Sequence, residues 1–344
     1  MTNLPKNRKY DLVSLGEILL RLSPSGNERI AYSEIFEKRI GGSELNVSAG
    51  VASLGLSSAH VTALPNNEIG KYAARALRYS GVCGNLISFS EDPEARLGIY
   101  YAERGAYPRR TSVTYDRRLT AFDSISEDQM PPEVFSEARI FHTSGITLAK
   151  SEKARAAART FMKKFKEAGA LISFDVNYRA SLWSEAEARS ALYEILPLVD
   201  LLFVSEETLR RMLGRVGTLE DIQIGLSKEF PSLSLIASTK REAISPRLHH
   251  FSSLLYDCKD RTHHSEPPYN NIEVVDRIGS GDAFVAGALF ALLKFGTPGS
   301  AVSYGNAMAA LKATTVGDLP ECDLSDVLRT LQSHSDSNPE EMIR

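Results

Sequence analysis

Several large classes of protein are excluded by what this chain lacks. Its three cysteines, Cys83, Cys258 and Cys322, are odd in number and far apart, so neither a disulfide framework nor a four-ligand zinc site is indicated. A reduced, cytoplasmic setting is the expectation. Positive charge is not in excess: 40 Lys and Arg against 43 Asp and Glu leave a net charge of −3, with no basic footprint for nucleic acid. No apolar run is long enough to span a membrane, and the first is interrupted by Glu17 and Arg21, too soon for a secretory leader. A Gly-x-x-x-x-Gly-Lys-Ser/Thr phosphate loop is absent, and so are internal repeats and long Pro/Ser linkers. His249-His250 and His263-His264 have no Cys or acidic partners at ligand spacing, so they do not suggest a metal.

What is present is an alternation. The length of 344 residues, with 43% hydrophobic, suits one large α/β domain or two small ones. Short apolar runs at Leu12–Leu15, His60–Leu64, Ile140–Thr143, Leu171–Phe174, Leu201–Val204 and Leu233–Ser238 read as strands buried on both faces. Between them Ala154, Ala157, Ala158, Phe161, Met162 and Phe165 recur at helical spacing, and Ser184 to Glu187 has the form of a capping box. This predicts a mainly parallel sheet with helices on both faces. Polar residues follow the strands closely (Glu17, Asp175, Asn177, Ser205, Thr239, Lys240), where open α/β sheets place their ligand crevice. Residues of about 18–40 and 95–120 break the alternation with aromatics, arginines and strand-like pairs, and predict a small separate β-sheet able to act as a lid over the crevice. One domain is expected over 1–332, followed by a frayed polar tail over 333–344.

The most informative stretch runs from Val275 to Phe284, where Gly279-Ser280-Gly281 leads from Asp276 into Asp282 and an apolar helix. Small residues let consecutive backbone N–H groups point into one concavity, and a helix N-terminus adds partial positive charge there. Such a loop suits an anion. Taken alone, Asp282 has two readings: a helix N-cap, or a general base beside a phosphoryl group.

A second glycine signal, Gly41-Gly42-Ser43-Glu44-Leu45-Asn46, precedes a helix of small residues. Together the two stretches resemble the paired signatures of the ribokinase-like (PfkB-type) sugar kinases, and the resemblance covers roughly residues 10–332. Phe174-Asp175-Val176-Asn177-Tyr178-Arg179, Tyr115-Asp116-Arg117, Ser253 to Tyr256 and Ala310-Leu311-Lys312 with Gly317-Asp318 are similar to the branch that phosphorylates 2-keto-3-deoxygluconate at its 6-hydroxyl. The resemblance implies ATP and Mg2+ as cofactors and Asp282 as the base. It implies an anion hole of Gly279, Ser280 and Gly281, and sugar contacts from Gly42, Asn46 and Asp318. Arg117 and Arg179 are then cations for the substrate carboxylate, which a guanidinium matches in shape, with Tyr100 and Tyr115 as hydroxyl donors and an apolar wall. Asn177, Thr239, Lys240, Arg241 and Asn306, with Gly279 and Gly281, are expected to border the nucleotide. Family members often pair their lids, so a homodimer is expected.

Two departures stand out. Where the family often carries Asn-x-x-Glu, this chain has Ser205-Glu206-Glu207-Thr208, and no metal ligand is assigned. Near the adenine, Ser238 to Ala243 lacks the glycine-rich turn of the ribokinases. The alternatives are a kinase of a neutral sugar such as fructose, or a sugar-binding protein of this fold without turnover. The gluconate and galactonate epimers are not separable by sequence.

Overall fold

The structure, a computed structural model, describes residues 5–335. Its strands are β1 (Tyr10–Leu15), β2 (Leu19–Pro24), β3 (Phe36–Gly41), β4 (Ser58–Pro65), β5 (Ile87–Ser90), β6 (Gly98–Glu103), β7 (Ser112–Asp116), β8 (Ala138–Ser144), β9 (Leu171–Asp175), β10 (Leu201–Ser205), β11 (Leu235–Ser245), β12 (Leu248–Asp257), β13 (Thr262–His264) and β14 (Tyr269–Glu273). Ten of them form one sheet in the order β13-β12-β11-β10-β9-β8-β1-β4-β5, with β14 also on β12. Every pairing from β11 to β5 is parallel, while β12, β13 and β14 add antiparallel partners at one edge.

The expected strands all form, although the sixth begins at Leu235 rather than Leu233. The period of two sorts their side chains onto two faces. Val13, Leu15, Val61, Phe141, Ile172 and Phe174 meet Phe161 and Phe165 of the helix Glu152–Glu167, where Phe141 stacks on Phe165 at 4.4 Å. Leu12, Ile140, Leu201 and Phe203 meet the helix Ser280–Phe295 on the opposite face. That helix is apolar nearly all round because it lies between the sheet and the helix Pro298–Ala313. The capping box at Ser184 forms as read, its hydroxyl accepting from the Glu187 N–H.

A separate four-stranded sheet has the order β3-β2-β6-β7, drawn from the two segments that broke the alternation. Its apolar side, with Ile18, Leu20, Ile40 and Leu97, packs on Leu45, Leu64, Ala73 and Leu77, while β7 is exposed along its length. Of the expected tail, Ser333 to Ser335 close the helix Leu324–Ser335, and 336–344 lie outside the described residues. No helix among the described residues is long and apolar enough to cross a membrane.

Candidate active site

The strands β1, β8, β9 and β10 end at Leu15, Ser144, Asp175 and Ser205, and Glu17 follows β1 by two residues. Between them opens a cavity of about 830 Å³, lined by residues of both sheets and by the loop before the helix Ser280–Phe295. It brings together Gly42, Asn46, Tyr100, Tyr115, Arg117, Asn177, Arg179, Thr239, Lys240, Arg241, Gly279 to Asp282, and Asp318. Asn306 does not join them: it is fully buried and its Nδ2 donates to Glu266 at 2.8 Å.

Asp282 lies at the inner end of the cavity and is 8% exposed. The N-cap of its helix is Gly279, at φ +86°, so the capping reading of Asp282 does not hold. Only glycine fits at 279, because a Cβ there would come within 2.1 Å of the Asp318 carbonyl oxygen. The carboxylate instead accepts from Ser43 Oγ at 2.8 Å and Asn46 Nδ2 at 2.7 Å. Asn177 Nδ2 donates to Ser43 Oγ at 2.7 Å and approaches Asp282 at 3.4 Å, so Asn177 sits beside the acid, not only along the nucleotide path. Its backbone is left-handed at φ +35°, a conformation asparagine tolerates better than most residues. Burial raises the Asp282 pKa, and the bonds from Asn46 and Ser43 oppose that rise. The raised pKa makes this carboxylate a stronger proton acceptor than an exposed aspartate.

Two further acids stand close by: Asp175, which the sequence places at a strand end by the crevice but without a role, and Glu44, which it does not single out as a site residue. Asp175 is pushed up to about 7, first by burial and then by the charge of Asp282. Glu44, 1% exposed, accepts from the Ser144 N–H and from the hydroxyls of Ser144 and Thr147, while burial raises its pKa. Gly-Gly and Asp-x-Asn were the signals available; a Glu in the first turn of a helix reads as a dipole partner.

The remaining site residues are held by partners of their own. Arg117 directs Nε, at 2.9 Å, and Nη2 onto one oxygen of Glu17, whose other oxygen accepts from Thr120 Oγ1 at 2.5 Å. Both are buried, Arg117 at 8% and Glu17 at 4% exposure. Gly42 does make a close approach, but to the Glu17 carbonyl, which a Cβ would meet at 2.4 Å. Tyr100 donates its hydroxyl to Asp318 Oδ2, and Tyr115 lies over it at 5.8 Å between ring centres. Ser205 caps the helix Glu206–Arg211 by accepting from the Thr208 N–H, and the two hydroxyls bond each other at 2.8 Å. Glu206 and Glu207 pair with Arg210 and Arg211. No group of three His, Cys, Asp or Glu side chains able to hold a metal occurs among the described residues.

At the other end the cations are bare. Among the described residues Arg179, Arg241 and Arg277 have no carboxylate within ion-pair distance. Desolvation, then the like charges of Arg277 and Arg179, hold the Arg241 pKa below the usual arginine value.

The family model for pfkB family carbohydrate kinases matches residues 9–322. The chain is 35% identical over 323 residues to the 2-dehydro-3-deoxygalactonokinase of Haloferax volcanii, covering 94% of this chain and 96% of that one. It is 30% identical to fructokinase-1 of Zea mays over 90% of this chain and 93% of the relative. The crystal structure of 2-dehydro-3-deoxygluconokinase from Thermotoga maritima superposes with a TM-score of 0.87 at 31% identity, covering 93% of this chain and 99% of that one. The chain therefore belongs to the pfkB family of carbohydrate kinases, with a ribokinase-like fold, and resembles kinases of 2-keto-3-deoxy sugar acids.

Proposed function

We propose that this kinase transfers the γ-phosphoryl group of ATP to the 6-hydroxyl of a 2-keto-3-deoxy sugar acid, either the gluconate or its galactonate epimer. The observation that carries the reading is the placement of Asp282: buried, held by Ser43 and Asn46, and in the first turn of a helix whose N-terminal residues Gly279, Ser280 and Gly281 line the same cavity. As the sugar oxygen bonds to phosphorus, the bond from phosphorus to the β,γ-bridging oxygen breaks. ADP leaves, and the hydroxyl proton passes to Asp282. In the anion hole of Gly279, Ser280 and Gly281, the N–H groups of Gly279 and Gly281 meet the charge on the transferring group, each well-aimed donor contributing about 3 kcal/mol in the transition state, while the Ser280 N–H donates to the Arg277 carbonyl at 3.2 Å and closes the turn. Thr239, Lys240 and Arg241 border the nucleotide. Magnesium would arrive on the phosphates with most of its waters, and no residue of this chain is assigned to it. The small sheet serves as a lid that excludes water. Its exposed Val113 and Tyr115 suit pairing with the lid of a second copy, which light scattering at micromolar protein would detect as a dimer.

Arg117 and Arg179 are the cations available for the substrate carboxylate. A neutral-sugar kinase is the second reading, favoured by the Glu17 carboxylate that already neutralises Arg117. A coupled ADP-release assay over 2-keto-3-deoxygluconate, its galactonate epimer, fructose and ribose decides between them. The proposal expects kcat/KM on a sugar acid to exceed that on either neutral sugar at least tenfold; the reverse ranking selects the second reading.

A further inference from the structure

Arg21 is the largest side chain in the molecule with almost no exposure, 1%, and its position on β2 of the small sheet gives it no contact with the cavity. Its guanidinium spends every edge on fixed partners. Nη2 donates to Asp276 Oδ2 at 2.6 Å, Nη1 to Asp318 Oδ1 at 2.8 Å, and Nε to Ser23 Oγ at 2.9 Å. The two carboxylates belong to segments that flank the anion loop. Asp276 Oδ1 accepts the Ile278 N–H at 3.1 Å, which shapes the turn leading into Gly279. Asp276 Oδ2 also accepts the Gly317 N–H at 3.3 Å, tying that turn to the segment of Asp318. Asp318 is wedged on both sides: a Cβ on Gly279 would meet its carbonyl oxygen at 2.1 Å, and a Cβ on Gly41 of β3 would meet its Oδ2 at 2.0 Å.

A second buried cation works on the same joint. Lys312, 1% exposed, donates to the backbone carbonyls of Asp276 at 3.2 Å and Thr315 at 3.3 Å. Two cations and two carboxylates thus balance inside a buried patch. In such surroundings the fork geometry of one guanidinium fixes the relative placement of both acids. An ammonium at the position of Arg21 lacks that fork.

We infer that Arg21 is a positioning residue for phosphoryl transfer: through Asp276 and Asp318 it sets the aim of the Gly279 to Gly281 amides, so that the small sheet and the anion loop hold their catalytic geometry together. Its contribution falls on the transition state, where the aim of those donors matters, and not on ground-state binding of either substrate. The inference rests on the proposed role of Gly279 to Gly281 as the anion hole.

The test measures Arg21→Lys, Asp276→Asn and the double variant with ATP and whichever of the four sugars supports the fastest ADP release, after thermal melts have shown which variants fold. The expected result is a kcat lowered about 10- to 100-fold in each single variant, with KM for ATP and for the sugar within threefold of wild type. The double variant should fall little further than the worse single one, because both changes break one unit. Affinity for ADP with aluminium fluoride in the presence of the sugar, a mimic of the transferring group, should drop in step with kcat. Unchanged kcat, a loss confined to KM, or additive losses would each overturn the inference. If Arg21→Lys does not fold, Asp276→Asn alone is held to the same split between kcat and KM. Asp282→Asn measured beside them separates the two ideas. An active Asp282→Asn removes the underlying reading of the site, whereas an inactive one beside a fully active Arg21→Lys removes only the role of Arg21.

Discussion

On the small-sheet side each charge already has a partner, Arg117 with Glu17 in the cavity wall and Arg21, behind that wall, with Asp276 and Asp318, whereas at the far end Arg179, Arg241 and Arg277 line the open cavity. The paired end can use its ions for shape, because a neutralised guanidinium still presents directed N–H groups but little net field. The unpaired end holds its charge for a ligand that brings the opposite sign. Burial accounts for the contrast. Arg117 and Arg21 are nearly sealed, where a lone charge costs several kcal/mol, while the three far arginines are exposed, Arg241 the most desolvated of them.

Asp282, where the two ends meet, should give the largest effect. Asp282→Asn keeps the size but replaces one acceptor oxygen by an NH2 donor and cannot take a proton, so kcat should fall on the order of a hundredfold or more with little change in substrate KM, as steady-state kinetics would show. Near wild-type turnover would remove it from the chemistry.

Next comes the paired end. Arg117→Ala should lower kcat/KM on a sugar acid roughly 30-fold or more, and a neutral sugar should feel much less. The same change strands Glu17 in a buried site, so the melting temperature should drop too; Arg117→Ala with Glu17→Gln should recover stability without recovering the acid substrate. If both sugars lose equally, Arg117 serves only the local ion pair.

The unpaired end should respond differently. Arg241→Ala is expected to raise KM for ATP about three- to tenfold while leaving stability and the sugar KM unchanged, since no internal partner is stranded. A fall in melting temperature comparable to that of Arg117→Ala would erase the contrast between the ends.

The smallest effect concerns Asp175. Its folded-state pKa of about 7 lies above the ordinary aspartate value, so the folded protein holds a proton that the unfolded chain has released. That contribution to stability is complete at low pH and is lost as pH rises toward and through 7. Asp175→Asn removes the buried anion, and calorimetry should find the variant more stable than wild type by about 5 °C at pH 8 and little changed at pH 4.

Much of this architecture was legible because it follows simple periods. The runs at Leu12, Ile140 and Leu201 are too short and too apolar for anything but sheet interior, and Phe161 with Phe165 repeats at helical spacing. The antiparallel edge was harder to read: Lys240 to Ser245 of β11 is polar and exposed, and only its pairing with β12 makes it a strand. In the site, the loop of Gly279 to Asp282 announced itself through composition, and so did Gly42 and Asn46. Glu17 and Arg21 sat in plain view as interruptions of an apolar run, yet their partners are about 100 and 255 to 297 residues away, and no local pattern encodes such contacts. Asn306 failed for a related reason: a polar residue in an apolar helix points to a ligand or to a buried partner with equal force, and here the partner is Glu266.

The glycines at 42 and 279 each leave room for a carbonyl oxygen of the chain itself, that of Glu17 and that of Asp318. In a complete substitution library both positions should therefore behave as intolerant on steric grounds alone, whatever their backbones touch. A mutational map of this kinase would then overstate its contact surface. Altered substrate preference should be sought instead among side chains such as Tyr115 and Arg179, whose replacement leaves the backbone free to stay where it is.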